Sequence, residues 1–121
     1  MGLDGVEIIL RAEELFAIEI ADLEAAGIAT VGQFYQLICL KLHIEPLKSP
    51  VTSESLPVIT DIEKRFLFLT RQRNLPAPAE VLPWTAQSVW DCVVAVFVDQ
   101  QGLDAEDITY HARIGRDLGV D

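Results

Sequence analysis

The amino-acid sequence predicts an all-α fold, and three observations carry that prediction. Apolar residues recur at helical spacing in several separate segments. The segments open on short-range capping pairs: Asp4 with Glu7, Thr30 with Gln33, Thr60 with Glu63 and Thr85 with Ser88. Gly27, Asn74 with Pro76, and Gly102 supply stop signals, residues that end helices for steric reasons. With 121 residues the chain forms one domain.

The first helix is expected from about Gly5 to Phe16. Val6, Ile9, Leu10, Ala12 and Phe16 make its apolar stripe, with Arg11, Glu13 and Glu14 between them. Residues 17–20 read as extended or turn-like. Asp22 then caps a single helical turn to Ala26, closed by Gly27 at the C′ position. A second long helix runs over 30–42, where Val31, Phe34, Leu37, Ile38 and Leu42 share a stripe. Residues 45–57, rich in proline and serine, read as linker.

Another helix is expected over 60–73, with Asp61 and Glu63 in its first turn and Arg71 and Arg73 in its last, matching the helix dipole at both ends. Asn74 and Pro76 stop it, and the proline-rich 75–83 is extended. The final helix covers 89–101, built on Val89, Cys92, Val93, Val96 and Phe97. Its β-branched run would also suit a buried strand. Length and the polar ends, Ser88 and Asp91 before and Asp99 after, decide for helix, and Gly102 closes it. Helices 5–16, 30–42 and 89–101 are expected to pack into one bundle, with Phe16, Ile20, Phe34, Ile38, Val93 and Phe97 in its core.

Half the residues are apolar and the mean hydropathy is +0.29, yet no apolar run approaches the length of a membrane span. Asp4 and Glu7 occupy the place where a signal peptide would be basic, so the expected compartment is the cytoplasm. Cys39 and Cys92 lie on apolar stripes without metal or redox spacing. They read as small core residues, with a disulfide as the alternative.

The net charge of −10 is unevenly spread. Residues 1–44 carry seven acids and two bases, residues 86–121 also seven and two, and residues 45–85 five of each. Two strongly acidic pieces therefore flank a neutral one. This balance excludes nucleic acid and anionic membranes as partners and favours basic protein surfaces, although negative charge also keeps an apolar protein dissolved.

The C-terminal stretch Asp104-Ala-Glu-Asp-Ile-Thr109 and Ile114-Gly-Arg-Asp-Leu-Gly-Val-Asp121 follows a helix over 89–101. The N-terminal stretch has Leu3-Asp4, Val6-Glu7, Glu13-Glu14-Leu-Phe16, Ile18-Glu-Ile20, Asp22 and Thr30-Val31. Read in the order C-terminal then N-terminal, these two pieces resemble the acyl carrier protein family of phosphopantetheine-binding proteins. That family is a four-helix bundle whose second helix begins at an Asp-Ser-Leu motif, where the serine carries the phosphopantetheine arm. The resemblance implies a circularly permuted acyl-carrier-like bundle. Residues 1–44 would supply its helices two to four, 86–121 its first helix and following loop, and 45–85 a connection with an extra helix.

Gly2 stands where the attachment serine would be, so the resemblance implies no prosthetic arm and no cofactor at that position. Glu54-Ser55-Leu56 echoes the motif, but Pro57 follows it and no Leu-Gly-x-Asp loop precedes it; Ser55 is the alternative attachment site. Asp4 would take over the serine's second task of capping the helix. Glu7, Glu13 and Glu14 would belong to the acidic face that carriers present to basic enzymes of fatty-acid or polyketide metabolism. Without the resemblance they read as a solvated helix face.

His43 and His111 have no partner at triad or metal spacing, and Trp84 and Trp90 read as packing anchors, so no catalytic constellation emerges. The leading functional expectation is a non-catalytic docking module without its own arm. The alternatives are a genuine carrier, modified at Ser55 or completed by another chain, and a structural protein with an apolar oligomer interface. Either a monomer or a homodimer is compatible with the sequence. The bases Lys64, Arg65, Arg71 and Arg73 suggest that helix 60–73 covers the acidic face near Glu7, Glu13 and Glu14.

Overall fold

The protein is described by a computed structural model covering residues 3–57 and 84–120. The expected helix 60–73, its contact with the acidic face, and the extended 75–83 lie outside the described residues. Among the described residues the fold is helical. Helix α1 spans Leu3–Phe16, α2 Asp22–Ala26, α3 Val31–Lys41 and α4 Ala86–Gln101, and a short 3-10 turn follows at Ala105–Asp107. None of the described helices is long and apolar enough to cross a membrane.

Helix α4 is the centre. Every residue from Val89 to Phe97 is buried, which fits a helix apolar on all sides. Helices α1 and α3 pack against it, and the C-terminal segment 103–120 completes the enclosure through Ile108, Ala112, Ile114, Leu118 and Val120. The β-branched run that would suit a strand is thus held as helix by burial on every face. The Thr85–Ser88 capping box fixes its start, and Gly102, at φ 65°, closes it in the left-handed conformation that glycine adopts without strain. The helix begins at Ala86, three residues ahead of the expected start, because Thr85 is its N-cap and Ser88 already the third helical residue.

The six expected core residues are all buried. Phe34 meets Phe97 edge-on with ring centroids 6.1 Å apart, and Tyr35 meets Trp90 at 5.3 Å. Trp84 tilts onto Phe16 at 4.6 Å, so both tryptophans serve as packing anchors. Cys39 and Cys92 are buried free thiols.

The N-terminus of α3 joins the two ends of the chain. The first amide groups of a helix lack partners within it. Here Val31 N donates to Ala112 O at 3.0 Å, Gly32 N to Tyr110 O at 2.8 Å, and Gln33 N to the Thr30 hydroxyl at 3.1 Å. Ile114 N donates in turn to Ala29 O at 2.9 Å, making an isolated antiparallel bridge between Thr30 and Arg113. The C-terminal segment therefore acts as the missing partner of this helix end.

Three local expectations need correction. Helix α1 begins at Leu3, which puts Asp4 inside its first turn, where its charge suits the dipole but it is not the cap. Asp22 is likewise the first residue of α2 rather than its cap; Glu24 reaches back to accept a hydrogen bond from Ala21 N at 3.0 Å. Gly27 ends α2 at φ −82°, a right-handed conformation open to any residue. After α1 and α3 the left-handed positions fall on Ala17 and His43, neither of them glycine. Ile18 N donates to Glu13 O at 3.2 Å and Ile44 N to Cys39 O at 2.8 Å, the i to i−5 bonds of a Schellman ending.

Residues 45–57 are more than a linker. Val51 to Ser53 form a strap hydrogen-bonded along α4. Gln87 Nε2 donates to Val51 O at 2.7 Å, Trp90 Nε1 to the Thr52 hydroxyl at 3.0 Å, and Ser53 N to Asp91 Oδ1 at 3.0 Å. Upstream, Leu47 N donates to the Tyr35 hydroxyl at 3.0 Å, and that hydroxyl donates to Ala86 O at 2.8 Å.

Candidate docking face on the first helix

The candidate site is built on α1, whose two sides differ sharply. Gly5, Ile8, Ile9, Ala12, Leu15 and Phe16 are buried, and they recur at the spacing of one helical stripe. The opposite stripe presents Val6 and Leu10, 43% and 53% exposed, with exposed Glu7 and Glu14 beside them. Two apolar side chains are thus exposed with two carboxylates on the accessible side of the helix.

The three glutamates expected to form one acidic surface have different surroundings. Glu7 is exposed. Glu14 is exposed and pairs with Arg11, Nη1 to Oε2 3.5 Å, one turn back. Glu13 is half-buried, and its carboxylate accepts a hydrogen bond from Ile20 N at 3.2 Å, pinning the turn that follows α1. So Glu7 and Glu14 face solvent, whereas Glu13 has a structural duty that its place in the sequence does not reveal.

Gly2 lies outside the described residues. Ser55 is exposed on a bend, and residues 55–57 are not helical. Its neighbour Leu56 packs against the core. His43 is exposed in its left-handed position, and His111 is exposed with its ring 5.1 Å from that of Tyr110. Among the described residues, no group of three or more histidine, cysteine or acidic side chains is arranged to hold a metal ion.

Both thiols are chemically quiet. Burial pushes Cys92 up to about 12, against the opposing pull of the Arg11 guanidinium, and burial also raises Cys39. Thiolate, the nucleophilic form, is thereby disfavoured at either position. Burial likewise raises the Tyr35 hydroxyl to about 12, keeping it protonated to donate to Ala86 O.

The carboxylate most deeply embedded among the described residues is one that sequence reading assigned to a polar helix end. Asp91, only 8% exposed, accepts from Ser53 N, from Ser53 Oγ at 2.6 Å and from Gln87 Nε2 at 3.0 Å. The Gln87–Asp91 spacing of four residues is visible in the sequence. The bond to Ser53, 38 positions away, has no local signal.

The two terminal pieces of the chain meet at this helix. Ile114, from the C-terminal segment, lines a small apolar pocket with Gly5, Ile8 and Ile9 of α1 and with Ile28 and Phe34. No protein-family model, curated protein or solved structure matches the chain.

Proposed function

We propose that the protein is a non-catalytic, acyl-carrier-like docking module that binds basic protein surfaces and carries no phosphopantetheine arm of its own. The observation that carries this reading is the outer side of α1, where Val6 and Leu10 are exposed beside the exposed Glu7 and Glu14. Such a face offers apolar area for affinity and carboxylates for steering and orientation. The resemblance of residues 3–42 and 89–121 to carriers in permuted order names the partner class: enzymes that act on acyl chains. The shared pocket of Ile114 with Gly5, Ile8 and Ile9 supports the permuted order, since the segment that would precede the second carrier helix packs against its first turns.

The absent arm follows from Gly2, which offers no hydroxyl to modify. Intact mass after co-expression with a promiscuous phosphopantetheinyl transferase tests this. The expected result is an unchanged mass. A gain equal to the prosthetic group would overturn the armless reading, and its loss in Ser55→Ala would assign the site. The same transferase is a probe for the docking face, because its carrier-binding surface is basic. Weak, salt-sensitive binding is expected, and Glu7→Lys with Glu14→Lys should abolish it.

A further inference from the structure

We propose that the cleft between the strap and the 3-10 turn binds a small organic cation, an amine carried on a flat apolar body. The cleft shares no residue with the outer side of α1, so the proposal stands or falls separately from the docking reading. Its volume is about 410 Å³, a size that suits a small molecule. Residues 50–53 of the strap line it, together with Trp90 of α4 and the segment that runs from Ala105 to Tyr110.

The polar groups of the cleft select a positive ligand. Two of its side-chain donors are already engaged within the chain. Trp90 Nε1 donates to the Thr52 hydroxyl at 3.0 Å, and Ser53 Oγ donates to Asp91 Oδ2 at 2.6 Å. Glu106, by contrast, is exposed, and its carboxylate has no hydrogen-bond or ion-pair partner among the described residues. It is the charged residue among the ten that line the cleft, and no base accompanies it. A ligand seated here must therefore bring its own charge-assisted donors. An anion would meet Glu106 directly and, at longer range, a chain of net charge −10.

The apolar part of the lining sets the rest of the ligand. Trp90 and Ile108 are buried beneath the cleft, and the Tyr110 ring stands 6.3 Å from that of Trp90. Aromatic rings attract cations as well as flat apolar groups. Val51 is 76% exposed although its own carbonyl is fixed to Gln87, so its side chain stays in water at the cleft. The strap side is also built before any ligand arrives, because Ser53 N is held by the buried Asp91. Binding then costs little ordering of this wall.

Titration of the full chain with phenethylamine, followed by amide and indole NMR shifts, tests the proposal. A ligand of this size should bind saturably at roughly millimolar concentration. The shifts should map to 50–53 and 105–110 and include the Trp90 indole N–H. The anion 3-phenylpropionate keeps the ring and reverses the charge, and it should not bind. Glu106→Gln should weaken phenethylamine binding about fivefold, the upper limit for an exposed ion pair, and high salt should act in the same direction. Glu45→Gln removes the same charge outside the cleft and should leave binding unchanged. Val51→Ser should weaken it about threefold or more through lost apolar contact. The melting temperature of each variant checks that it remains folded. Shifts that never saturate or that map elsewhere would overturn the proposal. So would equal binding of 3-phenylpropionate, or equal effects of Glu106→Gln and Glu45→Gln.

Discussion

Gly32 shows how a single missing side chain can set the geometry of this fold. Its amide donates to Tyr110 O, and a Cβ placed on it would lie 2.7 Å from that oxygen and 2.8 Å from the tyrosine ring. Backbone is on one side of the contact, so the neighbour cannot yield by rotating a side chain. Tyr110 is held further by its hydroxyl, which accepts from Gln36 Nε2, and by Trp90, whose ring centroid lies 6.3 Å from its own. Gly32→Ala should therefore prise the C-terminal segment from α3 and cost about 1–3 kcal/mol, the range for overpacking. Denaturant titration of the variant measures that loss, and amide exchange should rise first at Val31, Gly32 and Ile114. Tolerance of the methyl group with unchanged exchange would mean that the segment is not seated on this glycine.

At the scale of elements, the strap over residues 51–53 is held by polar bonds where the helices are held by apolar burial. Asp91 concentrates them, since its two oxygens accept from one amide, one hydroxyl and one carboxamide. Asp91→Ala would leave three donors without their acceptor and should cost about 2–3 kcal/mol, because bonds to a carboxylate are stronger than neutral ones. Asp91→Asn keeps one acceptor oxygen and should lose less. Amide exchange at Ser53 reports the release directly, and equal behaviour of the two variants would deny the carboxylate its role. This contrast explains what was legible in the sequence. The helices are legible because capping pairs such as Thr30–Gln33 and Thr85–Ser88 are local, and because helical spacing identifies core residues such as Phe34 and Val93. The strap reads as linker because Pro46, Pro50 and the serines signal only the absence of a helix. Its partners Gln87, Trp90 and Asp91 lie more than 30 positions away. The same limit applies to the proposed docking face: Glu7, Glu13 and Glu14 look alike in sequence, and the amide of Ile20 separates Glu13 from the other two.

At the scale of the whole molecule, chain order and packing order differ. Segment 103–120 is last in sequence, yet its carbonyls complete the start of α3 and its Ile114 packs with the first turns of α1. The bundle is therefore closed by contacts between sequence-distant pieces, and these form late and slowly in chains that must find them by diffusion. Covalent order should matter to folding rate more than to the final packing, since lengthening a connection adds only slowly to its closure entropy. A rearranged chain tests this: Asp121 joined to Gly2 through a short glycine-serine link, with new termini opened after Pro57. Opening there spares the strap bonds from Leu47 to Ser53 and makes Ile114 and Ile8 near neighbours in sequence. The rearranged protein should retain a cooperative melt within a few degrees of the original, with the same protected amides in α3 and α4. It should also fold faster, because the connection between segment 103–120 and α1 is shortened. Opening within the strap, after Thr52, should cost stability on the scale of Asp91→Ala. A rearranged chain that loses its cooperative transition would show that the present order is essential to the fold, and the carrier-like reading of a permuted bundle would fall with it.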